Sequence, residues 1–407
     1  MSLTSYTFSQ LMTFARASVK WLPGSAGILV QTASGSPAFS YDPVALSARG
    51  LSLEGASSNI AAYSSTPGTE FVTRTATVTA NAGVAPDGTS TAASVVPSTT
   101  SGSQYADSQA AIGGASNVNN VVSIYLKPAG YFSGILRLFD ASNTANDIDV
   151  TFNLTAMTAV AGKAGSGNFV RAGISQAANG WYRVWVAGMP NPAVADNVFI
   201  RAQISNASGS FSFAGDGTSG ILIWGSQIEP NKTAPSSHIV TVASSAGTRA
   251  ADACSITSLS PWFNAGAGTF YVQARIPNSA PSANNQVLLR IDDGTDNNKV
   301  EIRNPAGTSN IEVLIVSGGA TVFQQVGGTF AAGTVVAAAV SYASNAFGIS
   351  VGGNATISGA SGAVPQGVTR CILGASDLAG SNALNGELQD VNYYPVAMSA
   401  TDLQALT

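Results

Sequence analysis

The chain has 407 residues, 45% of them apolar and only 9% charged, with a net charge of −4. That length holds two or three domains. The apolar share argues against a disordered chain, and the lack of any basic run argues against a nucleic-acid or anionic-membrane partner. Cys254 and Cys371, single and far apart, exclude a disulfide framework and read as small buried hydrophobes. The one histidine, His238, has no Cys/His ligand spacing around it and reads as an ordinary linker residue.

In chain order, "MSLTSYTFSQLMTFARASVKW" lacks a basic stretch followed by an apolar run and does not read as a secretory signal. Residues 1–62 form an irregular, turn-rich docking segment whose only regular-looking piece is "RGLSLEG"; it is expected to lie against a partner or a neighbouring domain. Residues 63–248 carry eight strand candidates, among them "VVSIYLKP", "SGILRLFD", "IDVTFNL", "GWYRVWVAG", "VFIRAQIS" and "GILIWGSQIE", which fits a jelly roll. The polar, Pro/Ser-rich "PNKTAPSSHIVTVASSAGTRAAD" closes this region as a linker. Residues 249–407 alternate again in "GTFYVQARI", "QVLLRID", "KVEIR", "NIEVLIV" and "NAFGISV". The most apolar stretch, "GTVVAAAVSYA", falls short of the roughly 20 residues a membrane span needs. In "LNGELQDVNYY" the apolar phase changes, so a β-bulge near Gln389 and Asp390 is expected. "SATD" then opens a short helix, with Ser399 as N-cap, Asp402 in the place of a capping-box Glu, and Leu403 and Leu406 folding back. The fold class is all-β: two tandem antiparallel β-sandwiches behind the docking segment.

"NGWYRVWV" concentrates bulk in a chain of small residues. Strand period puts Tyr182, Val184 and Val186 on one face, as core, and Trp181, Arg183 and Trp185 on the other. An exposed Trp-Arg-Trp row would stack on pyranose rings and donate to hydroxyls or to an acidic sugar. Buried, the indoles would cover a second apolar layer at a domain or subunit junction, with Arg183 stacked between them. Trp224 falls in phase with Leu222 and reads as core or near-core. Trp262 and Phe263, in a loop before a strand, are either a glycan contact or a plug at the end of the sandwich.

"DDGTDNN" reads as a hairpin turn. Asp292, Asp293, Asp296 and Asn298, and more weakly Asp87 in "APDGTSTA", also provide oxygens that a structural Ca²⁺ could use, although the spacing is no defined loop motif. Glycoside hydrolysis needs two facing carboxylates; Glu387 and Asp390 are three apart, on opposite faces of a regular strand unless the bulge joins them. No nucleophile, phosphate-loop or dinucleotide motif is present, so no enzymatic activity and no cofactor beyond that calcium are expected.

Three stretches carry a family likeness. "FARASVKW…SPAFSYDPVALSARGLSLEGASSNIAAYS" is similar to the leader of modular bacteriophage spike and tail-fibre proteins. "RTATVTANAGVAPDGTSTAASVV…VSIYLKPAG…NGWYRVWVAG…ILIWGSQIEP" resembles the carbohydrate-binding-module type jelly roll that follows such leaders. "TRAADACSI…GTFYVQARI…LLRIDDGTDNN…LNGELQDVNYYPVAMSATDLQALT" resembles a concanavalin/laminin-G-like sandwich. The resemblance covers nearly the whole chain. It implies a head-spike or tail-fibre subunit of a phage or gene transfer agent, made in the bacterial cytoplasm and carried on the particle surface. Such a subunit would dock to other virion proteins through residues 1–62, assemble as a homo-oligomer with a trimer favoured, and bind host-surface polysaccharide. The alternatives are a structural capsid or tail adaptor without glycan affinity, and a polysaccharide depolymerase.

Overall fold

A computed structural model describes residues 11–109, 112, 116–243 and 245–407. The first ten residues, part of the stretch read as lacking a secretory signal, lie outside it. Among the described residues the chain is almost entirely antiparallel β-sheet, with short helices such as Pro67–Glu70 and Ala400–Leu406. No helix among them is long and apolar enough to cross a membrane.

The first sandwich packs two sheets face to face. One, here the tryptophan sheet, orders Asn168–Gln176, Tyr182–Met189, Asn120–Ala129, Gly220–Pro230, Ala92–Pro97 and Ala76–Gly83. The other, the aspartate sheet, runs Thr158–Ala164, Asp147–Asn153, Ser133–Asp140, Val198–Ser205 and Gly102–Ser108, with Ser212–Phe213 and Phe71–Thr73 at its margin. Alternation makes these strands. In Val198–Ser205 the inward residues Val198, Ile200, Ala202 and Ile204 meet Ile124, Val184 and Val186 of the opposite sheet in one apolar core, while Phe199, Arg201 and Gln203 take the other face.

The second sandwich is also two-sheeted, and the leader belongs to both of its sheets. Thr13–Ala15 pairs with Ala253–Ile256 at the edge of one. In the other, Ala48–Leu53 pairs with Gly386–Tyr394 and Phe39–Tyr41 with Ala48–Leu53. Leu51 and Leu53 sit in the core with Phe270, Ile302 and Ile349. The leader is thus more regular than its turn-rich sequence suggests; it pairs with the sandwich distal in sequence and also packs Leu29 against the outer face of the first. A segment with so few apolar residues builds no core alone; its short strands instead cover sheet edges, which otherwise invite pairing with other chains.

Where the chain enters and leaves the first sandwich, Ser57–Asn59 pairs with Gly247–Arg249 in the stretch read as linker. Beside this crossing a buried charge cluster ties the leader down. The Asp252 carboxylate accepts from Arg16 (3.0 Å) and Lys20 (2.6 Å), and Lys20 also meets Glu54 at 2.9 Å. Burial alone would raise Glu54, but Arg249 and Lys20 together hold it far below the usual carboxylate range.

The local expectations at the C-terminus hold. Gln273 pairs with Asp390 and Ala274 with Leu388, so Gln389 is the bulged residue. The Asp402 amide donates to Ser399 Oγ at the helix start, and Leu403 is buried. Both cysteines are free and buried, their thiols pushed up to about 12 mainly by desolvation.

Candidate functional site

A cleft of about 1220 Å³ lies between the outer face of the tryptophan sheet, the linker, the leader and the loops of the second sandwich. Its floor is set by strand register. Gly173 lies opposite Trp185, Ser175 opposite Arg183, and Arg171 opposite Ala187. Residues two apart share a face, so Arg171, Gly173 and Ser175 join Arg183 and Trp185 on the cleft side. A Cβ at Gly173 would stand 2.7 Å from the Trp185 indole, so the ring lies flat on bare backbone there. Arg171 and Arg183 flank the ring, about 13 Å apart along the strand direction at 3.3 Å per residue.

Both guanidiniums bond to neutral groups. Arg183 donates to Ser123 Oγ (2.9 Å) and the Ser236 carbonyl (2.6 Å), with its Cζ 5.5 Å from the Tyr125 ring centroid. Arg171 donates to Thr233 Oγ1 (3.0 Å) and reaches the Ser279 carbonyl of the second sandwich at 3.4 Å. Lys232, also on the cleft, donates to the Ala56 carbonyl at 2.7 Å. Desolvation lowers both Arg171 and Lys232 from their ordinary values.

The predicted Trp-Arg-Trp row is therefore divided. Val184 and Val186 are core, and Tyr182 packs against that core as expected. Arg183 and Trp185 line the cleft, but Trp185 is only 8% exposed and also packs on Val121, Ala187 and Ala234. Trp181 is buried. Its Nε1 donates to the Val84 carbonyl, and its ring joins Trp224, Tyr125 and Leu29 in a second apolar layer under the leader. The Trp181 ring is therefore closed to a sugar. Trp224 is wholly buried in that same layer rather than between the two sheets.

His238 is no ordinary linker residue. It is buried with its ring 4.7 Å from that of Trp224 and 6.0 Å from that of Tyr125, and neither ring nitrogen has a partner. Desolvation, and then the Arg183 charge, push it down to about 3, so it is neutral. Trp262 and Phe263 are half-buried at the end of the second sandwich, where they close an aromatic cluster with Tyr342 and Tyr393. They are plug-like there and lie outside the cleft.

The carboxylates weighed for calcium are otherwise engaged. Asp292 is fully buried between Arg290 and Arg370, and Asp296 meets Arg290 and Lys299, each at 2.8 Å. Asp293 accepts from Thr295 and Asn298, and Asp87 from Thr89. Among the described residues no three acidic, histidine or cysteine side chains gather as a metal would need. The bulge does bring Glu387 and Asp390 to one face. Glu387 is buried against Ser40 (3.1 Å) and Arg275 (3.4 Å), whereas Asp390 is exposed and accepts from Asn392.

Sequence reasoning missed Arg171 and Gly173, although "NFVRAGISQ" sets them in phase. It also missed the pair Asp147 and Asp149 in "DIDV", which share the outer face of the aspartate sheet. Burial, and then the charge of Asp147, raise Asp149 to about 6, while Arg137 sits 3.1 Å from Asp147.

No protein-family model matches this chain, and no curated protein does. Among solved structures, the Ruminococcus gnavus IT-sialidase CBM40 bound to α2,3-sialyllactose is similar at 15% identity, over 35% of this chain and 84% of that one, with a TM-score of 0.30. Mouse laminin α1 domains LG4-5 are similar at 10% identity, over 86% of this chain and 91% of that one, with a TM-score of 0.25. Chicken galectin 2 follows at 12% identity, over 31% and 89%, with a TM-score of 0.21. Likenesses this distant carry no argument about function, and the all-β fold class rests on the sheets described above.

Proposed function

We propose that this protein binds polysaccharide in the cleft, without chemistry, as a subunit on the surface of a phage or phage-like particle. The observation that carries glycan binding is the floor of the cleft: Arg171 and Arg183 stand on either side of the mostly buried Trp185, in a cavity whose lining mixes amides and hydroxyls with apolar and charged side chains. The uncovered edge of the Trp185 indole adds a small apolar contact, and the planar donors beside it fix hydroxyl or acid groups, which is how a concave site orients a polar ligand. The particle context draws on the leader's similarity to phage spike and fibre leaders. Each site would bind weakly, and several copies on one particle would turn weak contacts into useful avidity.

The competing reading, an adaptor without glycan affinity, draws on the burial of Trp181 and the plug position of Trp262 and Phe263. An array of bacterial surface polysaccharides separates the two. The purified protein is expected to be retained by at least one, and Trp185→Ala to weaken that retention at least tenfold while circular dichroism still reports a folded β protein. Retention by none, or retention that Trp185→Ala leaves unchanged, removes the cleft from the reading.

A further inference from the structure

We infer that the occupant of the cleft is an acidic saccharide, one bearing carboxylate or sulfate groups, held by Arg171, Arg183 and Lys232. The inference rests on the glycan reading above and narrows it by charge.

Five cationic side chains line the cleft. Two are spent locally: Arg49 on Asp42 at 2.7 Å and Arg275 on Glu387 at 3.4 Å. Glu54, the third acid in the lining, belongs to Lys20 and Arg249. That leaves Arg171, Arg183 and Lys232, none of which makes an ion pair among the described residues. Glu229 lies nearest in charge terms, and its field acts on Lys232, but its carboxylate is buried and taken by Ser57 and Ser236. Set against the three, it offsets one. A cationic surplus is therefore held, half-buried, in a chain whose net charge is −4.

Keeping cations desolvated with only hydroxyls and carbonyls as partners costs free energy that an anionic ligand returns. Arg171 donates to Thr233 and Arg183 to Ser236, and Lys232 adjoins Thr233 in sequence. The linker from 232 to 236 thus borders all three cationic side chains of the cleft, with Arg171 and Arg183 about 13 Å apart along the strand direction. A bare inorganic ion would span only part of the roughly 13 Å between the two guanidiniums, whereas an acidic saccharide is long enough to meet both. Charge-assisted bonds are roughly twice as strong as neutral ones, so acid and neutral forms of one saccharide should separate clearly.

The test uses matched pairs on the full chain: oligogalacturonate against its methyl ester, sialyllactose against lactose, and dextran sulfate against dextran. Binding is measured by calorimetry at 50 mM and 500 mM NaCl. At least one acidic member should bind ten times more tightly than its neutral partner, and lose most of that advantage at high salt, where screening shortens toward the contact distance. Arg171→Gln and Lys232→Gln should each remove about tenfold of the acid's affinity and leave its neutral partner unchanged, with Arg171→Lys recovering most of the loss. Equal binding within every pair, or retention of neutral saccharides alone, overturns the acidic assignment and leaves glycan recognition standing. Loss of all saccharide binding, on the array as well as here, removes both.

Discussion

The two outer faces of the first sandwich carry similar side chains and use them in opposite ways. On the aspartate sheet Arg201 forks onto Asp107, with bonds of 2.7 and 2.9 Å, and stacks 3.8 Å from the Tyr105 ring centroid, while Arg137 meets Asp147. Every one of these cations has a carboxylate of its own. On the tryptophan sheet Arg171 and Arg183 meet only hydroxyls and carbonyls. The first face is complete within the chain, and the second is left open to an acid from outside. An Arg beside an aromatic ring is therefore no sign of a site until its charge partner has been found.

The open face also depends on its cover, since leader and linker build its walls. The largest effect is expected where the leader is pinned. Asp252→Asn leaves Arg16 and Lys20 buried without their shared carboxylate, a loss of about 3–5 kcal/mol when a buried pair is broken from one side. Denaturant unfolding should show it, and saccharide affinity should fall along with stability because the cleft loses its leader wall. The matching change on the paired face has no such reach, since Asp107 sits beside half-exposed arginines.

A second contrast separates two buried groups on either side of one strand. Ser226 donates to Glu70, and two residues away Trp224 packs on His238. Burial, opposed by that hydrogen bond, raises Glu70 from 4.5 to about 8, so the folded state holds a proton that the unfolded chain releases. Its contribution is full below pH 4.5 and is lost as pH rises toward 8. Folded His238 instead refuses a proton that the unfolded chain takes up, so its contribution is full above pH 6.5 and is lost as pH falls toward 3. Unfolding free energy measured against pH should therefore show, for wild type relative to Glu70→Gln, a decline of up to about 1.4 kcal/mol per pH unit between 4.5 and 8. Relative to His238→Gln it should show a rise of similar slope between 3 and 6.5. Flat difference curves would mean that water reaches both groups.

What was legible in the sequence was local. The bulge at Gln389 follows from a phase slip within a dozen residues, and the Ser399 cap from a four-residue motif. The site was half legible. Alternation put Arg183 and Trp185 together, but period alone could not tell a cleft from a covered layer, and Trp181 went to the layer because Leu29 of the leader packs there. Arg171 and Gly173 sit on a strand whose Phe169 and Val170 are both exposed, so its alternation gives no clear inward face. Within the leader "RGLSLEG" was legible as the strand Ala48–Leu53, but the pairings of Phe14 and Leu51 were not, because their partners, Cys254 and Leu388, lie some hundreds of residues away and no short window contains both.

The smallest expected effect gives the sharpest comparison, because one methyl group can be placed on either face. At Gly173 it would meet the rigid Trp185 indole at 2.7 Å, and at Gly162 it would meet Asp149 Oδ1 at 2.5 Å. Neither glycine has a positive φ, so the backbone accepts alanine at both and only the neighbour must yield. Asp149 can turn about its side-chain bonds, whereas Trp185 is hemmed in by Val121, Ala187 and Ala234 and must lift as a plate. Gly173→Ala should cost about 1–3 kcal/mol, as overpacking does, and weaken saccharide binding several-fold. Gly162→Ala should cost less, because alanine also reduces the freedom of the unfolded chain, and should leave binding untouched. Equal loss of binding from the two would move the saccharide out of the cleft and onto a surface both sheets share; loss from Gly162→Ala alone would put it on the aspartate face.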